Sequence, residues 1–335
     1  MIRLEEISAE IQSGKNIVIT THHKPDGDAM GSSLGLYHFL CSLGNNVHVI
    51  TPTDYPYFLH WMPGNADVVN FMEEPARSKE LIDQADWVFC LDFNALSRIN
   101  ELGEIVRASS SKKAMIDHHL DPEGFEQFRY WDTTACAAAE LVYRFIVELG
   151  MQHKISKDVA TCLYTGIMTD SGSFRFPSTT AEVHRIIADL IEKGANNSRI
   201  HELVYDTNSE NRLKFLGEVL STRMVVMPDK HTAYITIDAD LLKKYDIKTG
   251  DTEGMVNYAL SVHGIKLAVL IIDRGELRKL SFRSKGEFPA NEMAKKYFDG
   301  GGHRNAAGGS SKDSIEETLQ KFLNVLPEFE YLLNE

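Results

Sequence analysis

Short apolar runs alternate with stretches of helical periodicity along the first half of this chain, and that alternation limits the possible folds more than any other feature. The runs that predict buried strands lie at 16–22, 46–51, 86–92 and 112–117. The stretches that predict helices lie at about 30–41, 99–106, 138–149, 156–169 and 180–191, and the proline-punctuated stretch 52–80 predicts irregular structure. Thr179 and Glu182 form a capping-box pattern before the last of these helices. Because strand–helix alternation builds a mostly parallel sheet with helices on both faces, we predict an α/β domain of that type.

A second, smaller α/β domain is predicted in the remainder of the chain. The chain has 335 residues, and a single hydrophobic core usually stops growing at ~250–300 residues. Further strands are predicted at 232–237, 265–273 and 277–284, and further helices at 252–262, 289–298 and 313–325. We therefore assign residues 1–195 to the first domain, 196–220 to a linker or connecting helix and 221–335 to the second domain.

The charge distribution argues against a protein that coats long nucleic acid. The net charge is −13; residues 1–220 hold 19 Lys and Arg against 31 Asp and Glu (19 − 31 = −12), and residues 221–335 hold 16 against 17 (16 − 17 = −1). Within 274–304 the balance is 8 − 4 = +4. Because phosphate contacts dominate nucleic-acid affinity, this balance fits a short anionic ligand held locally, with metal cations offsetting the acidic half. A merely soluble surface is the alternative interpretation.

The cysteines and the apolar runs bear on the compartment. Four cysteines are far apart and form no CxxC pair, and no apolar run approaches the ~18–20 residues of a membrane span. The N-terminal sequence MIRLEEISAEIQSGK is amphipathic and acidic, unlike a signal peptide. We therefore expect a cytoplasmic protein with free thiols that does not bind membranes.

Aspartate and histidine residues occur where the predicted strands end. They are His22, Asp26 and Asp28 after the first strand, Asp92 after the third, Asp117, His118 and His119 after the fourth, and Asp170 at the end of a later helix. Ligands of open parallel sheets bind at the carboxyl ends of the strands, so these side chains should meet at one edge. Each alone is more often a helix cap or a structural histidine, but together they predict a site for two divalent cations. The mixed carboxylate and imidazole set favours Mn²⁺, with Mg²⁺ or Zn²⁺ as alternatives.

Five ordered motifs resemble those of the DHH phosphoesterases. They are HHKPDGDAMGS at 22–32, the strand-terminal Asp92, DHH at 117–119, TDSGSFRF at 169–176, and SFRSKGEFPANEMAKKYFDGGGHRNAAGG at 281–309. The last resembles DHHA1, the C-terminal domain associated with that family. The resemblance implies a DHH domain followed by a DHHA1 domain, with the active site in the cleft between them.

The resemblance also implies a role for each motif residue. One metal ion would be held by His22, Asp26 and Asp92, and the second by Asp28, Asp92, His118 and Asp170, so that Asp92 bridges the two. Asp117 would orient the histidine ligands, and His119 would contact the substrate phosphate or act as a general acid. Asp92, Asp117 and His119 are therefore the expected catalytic residues. Ser171 stands where the family more often has threonine, and both residues offer a hydroxyl.

The glycine-rich motif of the second domain is the expected substrate-binding segment. Glycines at 300–302 allow close backbone approach to an anion, and nearby side chains supply hydrogen-bond donors. The expected substrate-binding residues are Arg283, Ser284, Gly301, Gly302, His303 and Arg304. In isolation this segment would be interpreted as a flexible turn; the local positive charge and the resemblance favour phosphate recognition. For Arg175, a phosphate contact and an exposed loop residue stay open.

The compact two-domain form resembles the nanoRNase and pAp-phosphatase branch of the family. That branch implies hydrolysis of short oligoribonucleotides to mononucleotides and of 3′-phosphoadenosine 5′-phosphate (pAp) to AMP, through water activated by two metal ions. The alternatives are hydrolysis of cyclic di-AMP or its linear form pApA, an inorganic pyrophosphatase, a RecJ-type exonuclease, and a nucleotide sensor without turnover. The oligomeric state stays open, with a homodimer among the options.

One competing motif is excluded. The string GSSLG at 31–35 matches the GxSxG pattern of serine hydrolases, but Ser33 falls inside a predicted helix and not at a strand-to-helix turn. We interpret its small residues as packing against the sheet.

Overall fold

A computed structural model describes residues 2–12 and 14–334 of the chain. They divide between Thr207 and Asn208 into two compact units. The stretch 196–220, predicted to be a linker or connecting helix, contains the helix Asn197–Tyr205 of the first unit and most of the helix Glu210–Thr222 of the second. A short non-helical segment separates the two helices. Ser209 caps the second helix, because its hydroxyl accepts a hydrogen bond from the Arg212 N–H.

The first unit is built on a parallel sheet. Its strands are β1 (Asn16–Thr21), β2 (Asn46–Thr51), β3 (Val69–Asn70), β4 (Trp87–Leu91), β5 (Lys112–Asp117) and β6 (Phe128–Trp131). Within the described residues they lie in the order β3-β2-β1-β4-β5-β6, and all neighbouring pairs are parallel. This confirms the predicted sheet type.

Helices cover both faces of this sheet. They are α1 (Leu4–Glu10), α2 (Gly27–Ser42), α3 (Pro75–Asp83), α4 (Glu101–Ala108), α5 (Ala138–Glu148), α6 (Lys157–Asp170), α7 (Ala181–Glu192) and α8 (Asn197–Tyr205). Alternate residues of β1 belong to different cores: Ile17 and Ile19 pack with α2, α5 and α6, whereas Val18 packs with α3 and α4. This two-sided burial explains why the strands are apolar along their whole length.

Small residues bring α2 and α6 into close contact. The α2 glycines recur every fourth residue, and a Cβ added at Gly27, Gly31 or Gly35 would lie 2.4–2.7 Å from atoms of α6. At Gly31 those atoms belong to the backbone of Cys162 and Gly166. For Gly31 and Gly35, our expectation of packing against the sheet is therefore wrong, because these glycines allow a helix to approach. We call this contact the glycine seam.

The second unit has a mixed sheet. Its elements are α9 (Glu210–Thr222), β7 (Met224–Met227), β8 (Thr232–Ile237), α10 (Ala239–Lys244), α11 (Met255–Ser261), β9 (Leu267–Asp273), β10 (Arg278–Ser284), α12 (Ala290–Tyr297), β11 (Gly301–His303), β12 (Ala306–Ser311), α13 (Ile315–Val325) and α14 (Glu330–Asn334). The described strands lie in the order β11-β12-β10-β9-β8-β7. The pair β8–β9 is parallel and the other pairs are antiparallel. The predicted smaller α/β domain is confirmed.

Several elements escaped the sequence analysis. Within 52–80, expected to be irregular, the chain forms β3 and the start of α3. The capping residue of α7 is Thr180 and not Thr179, since the Thr180 hydroxyl accepts the hydrogen bond from the Val183 N–H. The glycine-rich motif is not a loop but the hairpin of β11 and β12. Among the described residues, the structure contains no helix with the length and apolarity needed to cross a bilayer.

Candidate metal centre

Three strands deliver polar side chains to one edge of the parallel sheet. β1 is followed by His22, β4 by Asp92, and β5 ends at Asp117. Asp92 has φ 63°, a left-handed conformation that a non-glycine residue seldom adopts. A strained conformation of this kind persists only where the surrounding structure holds it, and such residues concentrate at functional sites.

Asp92 stands at the centre of the cluster, and its two carboxylate oxygens face different partners. Oδ2 lies 3.4 Å from Nε2 of His22, and Oδ1 lies 3.4 Å from Nε2 of His118. Oδ1 also lies 3.6 Å from Nδ1 of His119. The residue is 3% exposed, and its Oδ1 atom has no hydrogen-bond partner in the described chain. A buried carboxylate oxygen without a hydrogen bond is a costly arrangement that a bound cation would relieve.

Backbone carbonyls orient the two imidazoles that face Asp92. Nδ1 of His22 lies 3.0 Å from the carbonyl oxygen of His23, and Nδ1 of His118 lies 3.1 Å from that of Ala135. If each Nδ1 carries the proton and donates to its carbonyl, each Nε2 presents its lone pair to the cluster. Histidine ligands of metal ions are commonly fixed in this way.

The first turn of α2 contributes two aspartates with different local roles. Asp26 is the N-cap of α2: its Oδ1 atom accepts hydrogen bonds from the N–H groups of Asp28 and Ala29 and lies 3.8 Å from Nε2 of His22. Asp28 instead accepts from the first N–H groups of α5, Ala138 to Oδ2 at 2.6 Å and Ala139 to Oδ1 at 2.9 Å. Because the N-terminus of a helix attracts negative charge, α5 holds the Asp28 carboxylate in place.

Asp170 reaches the same cluster from the C-terminal end of α6. Its Oδ2 atom lies 3.6 Å from Nε2 of His118, and Oδ2 of Asp28 lies 3.9 Å from the same nitrogen. The glycine seam sets this approach, because α2 carries Asp28 and α6 carries Asp170. The structure therefore brings together all six side chains that the sequence analysis assigned to metal ions: His22, Asp26, Asp28, Asp92, His118 and Asp170.

Burial and paired charges set the ionisation of the cluster. Burial alone would lower the pKa of His22, but the carboxylates of Asp26 and Asp92 outweigh it and raise the pKa to about 10. Burial likewise opposes the protonation of His118, whereas its carboxylate neighbours raise that pKa well above its usual value. Burial, reinforced by the negative charges of Asp92 and Asp170, raises the pKa of Asp28. In the metal-free state, protons therefore occupy nitrogens that a cation would use.

Asp117 holds His119 and not His118. Oδ1 of Asp117 lies 2.8 Å from Nδ1 of His119, and Asp117 is fully buried. We expected Asp117 to orient the histidine ligands, but His118 is oriented by the backbone at Ala135, so the carboxylate is left to orient His119. The pair forms an Asp–His dyad beside Asp92.

The loop after Asp170 is held by a histidine that the sequence analysis missed. Gly172, Ser173 and Phe174 all have positive φ angles, and Nε2 of His201, on α8, lies 3.1 Å from the Ser173 hydroxyl. Because such contacts join positions far apart in sequence, no local pattern pointed to this residue. In the same loop Arg175 is exposed, and its Nε donates to the carbonyl of Gly172 at 2.7 Å.

In the second unit, most of the predicted substrate-binding residues lie on or beside the β11–β12 hairpin and the end of β10. Added Cβ atoms would collide with the Gly308 carbonyl oxygen at Gly300 and with the Ala306 carbonyl oxygen at Gly302, whereas Gly301 faces open space. Two of the three glycines are therefore required by the hairpin itself.

Two of the side chains in this segment, those of Ser284 and Arg304, already form contacts within the protein. The Ser284 hydroxyl donates to the Phe288 carbonyl at 2.8 Å and accepts from Asn305. Arg304 is exposed and forms an ion pair with Glu287 at 2.6 Å. Arg283 and His303 are half-buried on neighbouring strands, β10 and β11.

Comparisons with known proteins identify the two domains of the chain. The DHH family N-terminal domain matches residues 16–167, and the DHHA1 domain matches residues 230–330. A protein of Thermus thermophilus named bifunctional oligoribonuclease and PAP phosphatase NrnA is 32% identical over 319 residues, covering 93% of this chain and 89% of its own. A protein of the same name from Bacillus subtilis is 28% identical over 333 residues, covering 97% and 99%.

The crystal structure of an exopolyphosphatase-related protein from Bacteroides fragilis is similar to this chain along nearly its whole length. The two chains are 42% identical and superpose with a TM-score of 0.94, covering 99% of this chain and 97% of that one.

Proposed function

The chain belongs to the DHH family, and from that premise we propose that it is a metal-dependent phosphoesterase that hydrolyses short oligoribonucleotides to mononucleotides and pAp to AMP. The names of the Thermus and Bacillus relatives support these two substrates. The observation that carries the proposal is the Asp92 carboxylate, whose two oxygens face His22 on one side and His118 on the other. One carboxylate shared in this way suits two adjacent cations.

The charge of the cluster supports a need for cations. Five carboxylates, those of Asp26, Asp28, Asp92, Asp117 and Asp170, meet three imidazoles. With the neutral imidazoles and ionised carboxylates that metal binding requires, the side chains carry −5, and two divalent ions would change this to −5 + 4 = −1. Bound there, the ions would lower the pKa of water and neutralise charge on the phosphate. His22, Asp26 and Asp92 would hold one ion, and Asp28, Asp92, His118 and Asp170 the other, with Mn²⁺ the expected metal and Mg²⁺ the alternative.

The Asp117–His119 dyad would serve the leaving group. Removal of the 3′-phosphate of pAp, and release of 5′-mononucleotides from RNA, both break the bond between phosphorus and a ribose 3′ oxygen. His119 would donate a proton to that oxygen or hold the phosphate, and Asp117 would keep its imidazole oriented. Because the ribose 3′ oxygen is the leaving-group atom in both reactions, one centre would serve both substrates.

The second unit would bind a part of the substrate away from the reacting phosphate. The space beside the Gly301 Cα is open, and Arg283 on β10, His303 on β11 and Arg304 after β11 supply donors. Gly302 and Ser284 would shape the hairpin and the adjacent turn that present those donors. We propose that the enzyme is cytoplasmic.

A substrate panel tests the proposal. Chelator-treated protein is reloaded with Mn²⁺ or Mg²⁺ and assayed on dinucleotides, pAp, pApA, cyclic di-AMP, polyphosphate, pyrophosphate and long single strands, with products identified by chromatography. We expect dinucleotides and pAp to be turned over fastest, and only with metal. Faster turnover of pApA, cyclic di-AMP or polyphosphate would overturn the substrate assignment. Binding of pAp without turnover of any substrate would support the sensor and overturn the enzyme.

A further inference from the structure

A tryptophan stands exposed beside the metal cluster. Trp131 is the last residue of β6 and is 40% exposed. In the parallel register of β5 and β6 it lies opposite Asp117. The indole Nε1–H donates to the carbonyl oxygen of His119 at 2.7 Å. A single residue therefore separates the indole from the cluster, because the imidazole of the same His119 lies beside Asp117 and Asp92.

This hydrogen bond fixes the ring and leaves part of its surface open. The bond uses the only polar atom of the indole, so what remains exposed is aromatic surface. The next residue after His119, Leu120, is also 43% exposed. The other tryptophans differ: Trp87 is fully buried and Trp61 is half-buried. An oriented and partly exposed indole next to a phosphate-binding centre has the form of a platform for a flat ring.

We propose that Trp131 stacks on a nucleobase of the substrate whose phosphate binds at the cluster. The inference rests on the proposed function and adds a determinant of specificity to it. In a nucleotide one ribose separates the base from the phosphate, so a base is the flat group that the substrate brings to this rim. Stacking on an aromatic face recognises a base without reading its hydrogen-bonding edge. A platform of this kind would accept RNA of any sequence, with purines favoured by their larger overlap.

The test compares substrates with and without a base. Trp131→Ala, Trp131→Phe and the wild type are assayed with Mn²⁺ on pAp and on ribose 3,5-bisphosphate, which lacks the adenine. We expect Trp131→Ala to lower the ratio of kcat/KM for pAp to that for the abasic compound about tenfold, within the range typical of a lost aromatic platform. Trp131→Phe keeps an aromatic face without the N–H donor, so its ratio should stay within about threefold of the wild type.

Equal losses on both substrates in the two variants would overturn the proposal, since the indole would then act only by holding the His119 carbonyl. A second measurement does not depend on turnover or on the alanine variant folding. AMP binding should quench the tryptophan fluorescence of the wild type and of Trp61→Phe, and the quench should be lost in Trp131→Phe. A quench that persists in Trp131→Phe would also overturn stacking.

Together with the substrate panel described above, this experiment separates the stacking inference from the proposed function. If the wild type hydrolyses polyphosphate but neither pAp nor dinucleotides, the proposed function is wrong, whatever the fluorescence shows. If the wild type hydrolyses pAp but the ratio does not change in Trp131→Ala, the function stands and the stacking is wrong.

Discussion

A single side chain, the Asp92 carboxylate, connects the histidines of the candidate centre. The carboxylate of Asp92 is the group that faces His22, His118 and His119 together. Its backbone is held in a left-handed conformation at the end of β4, with its N–H donating to the Ile116 carbonyl at 3.1 Å. The strain indicates that the position of this carboxylate, and not the stability of the strand, is what the local structure preserves.

Asp92→Asn should therefore impair metal binding and turnover together. The amide keeps the shape of the side chain but loses the charge and one of two ligand oxygens. We expect kcat to fall on the order of 10³-fold and bound metal to fall from about two ions to one or fewer per chain. Metal analysis and steady-state kinetics measure both. Asp158→Asn, an exposed carboxylate in the first turn of α6, is the control. Near wild-type kcat in Asp92→Asn would refute the bridging role.

Metal binding should release protons. Without metal, His22 has its pKa raised to about 10 by Asp26 and Asp92 against the effect of burial, so its imidazole is charged at neutral pH. A metal ion needs the neutral imidazole, so it must displace that proton. We expect at least about one proton released per chain at pH 7, and metal affinity that increases with pH until about pH 10. Calorimetry in buffers of different ionisation enthalpy gives the number of protons released when metal binds. His22→Asn should release about one proton fewer; affinity independent of pH would contradict the prediction.

Among the elements, α2 and α6 matter most, because their contact sets the separation of Asp28 and Asp170. The glycine seam lets the two backbones touch at Gly31 and Gly166. Asp28 is also tied to the start of α5 through two backbone N–H groups. Three helices thus define the side of the cluster that faces His118.

Gly31→Ala should destabilise the first unit and weaken its metal site. The new Cβ would lie 2.7 Å from the backbone of Cys162 and of Gly166, atoms that cannot rotate away. We expect the free energy of unfolding of metal-free protein to fall by about 1–3 kcal/mol, with lower metal affinity. Gly217→Ala, in α9 with open space around it, should instead gain ~0.5–1 kcal/mol from helix propensity. Denaturant titration and metal titration test both; unchanged values for Gly31→Ala would refute the role of the seam.

The elements that could be predicted from the sequence are those whose burial produces a recognisable run of apolar residues. β1, β4 and β5 are continuous apolar runs because helices cover both faces, and such runs are recognisable. β6 is short and half-exposed, and β11 and β12 consist largely of glycine, alanine and serine, so neither gives an apolar alternation. The ligand set was visible because its members follow strand ends. The support from Ala135, Ala138 and His201 was not, because it depends on contacts far apart in sequence.

At the scale of the whole molecule, the charge distribution predicts a short substrate. Residues 1–220 carry −12, residues 221–335 carry −1, and the basic stretch 274–304 carries +4. Few cationic groups are available to follow a long phosphate backbone. The second unit supplies that basic stretch, so binding energy and metal chemistry are expected from different units.

Turnover should therefore decrease with substrate length. On oligoribonucleotides of two to twenty nucleotides, we expect kcat/KM to fall steeply beyond a few nucleotides. The salt dependence should be shallow, corresponding to one or two phosphate contacts outside the cluster. Duplexes of the same sequence serve as the control and should not be hydrolysed. Rates that rise with length would support an exonuclease.

His303→Ala should separate the contributions of the two units. His303 lies on β11 of the second unit, whereas all six proposed metal ligands belong to the first. We expect KM for pAp to rise about tenfold with bound metal unchanged, and a smaller effect on a nitrophenyl phosphate ester that offers no second phosphate. Kinetics on both substrates and metal analysis check this. Loss of metal, or equal loss on both substrates, would contradict the division.

The glycine seam also changes how relatives of this protein should be interpreted. Residues of the seam perform no chemistry, and yet the spacing of two carboxylates depends on backbone contact that no larger side chain can reproduce. Substitutions of the seam glycines are therefore seldom tolerated while the metal centre is under selection. Once catalysis is no longer selected, they are among the first free to vary. A homologue that keeps every aspartate and histidine but carries bulky residues at these glycines is expected to be a pseudoenzyme, despite its intact ligand motifs.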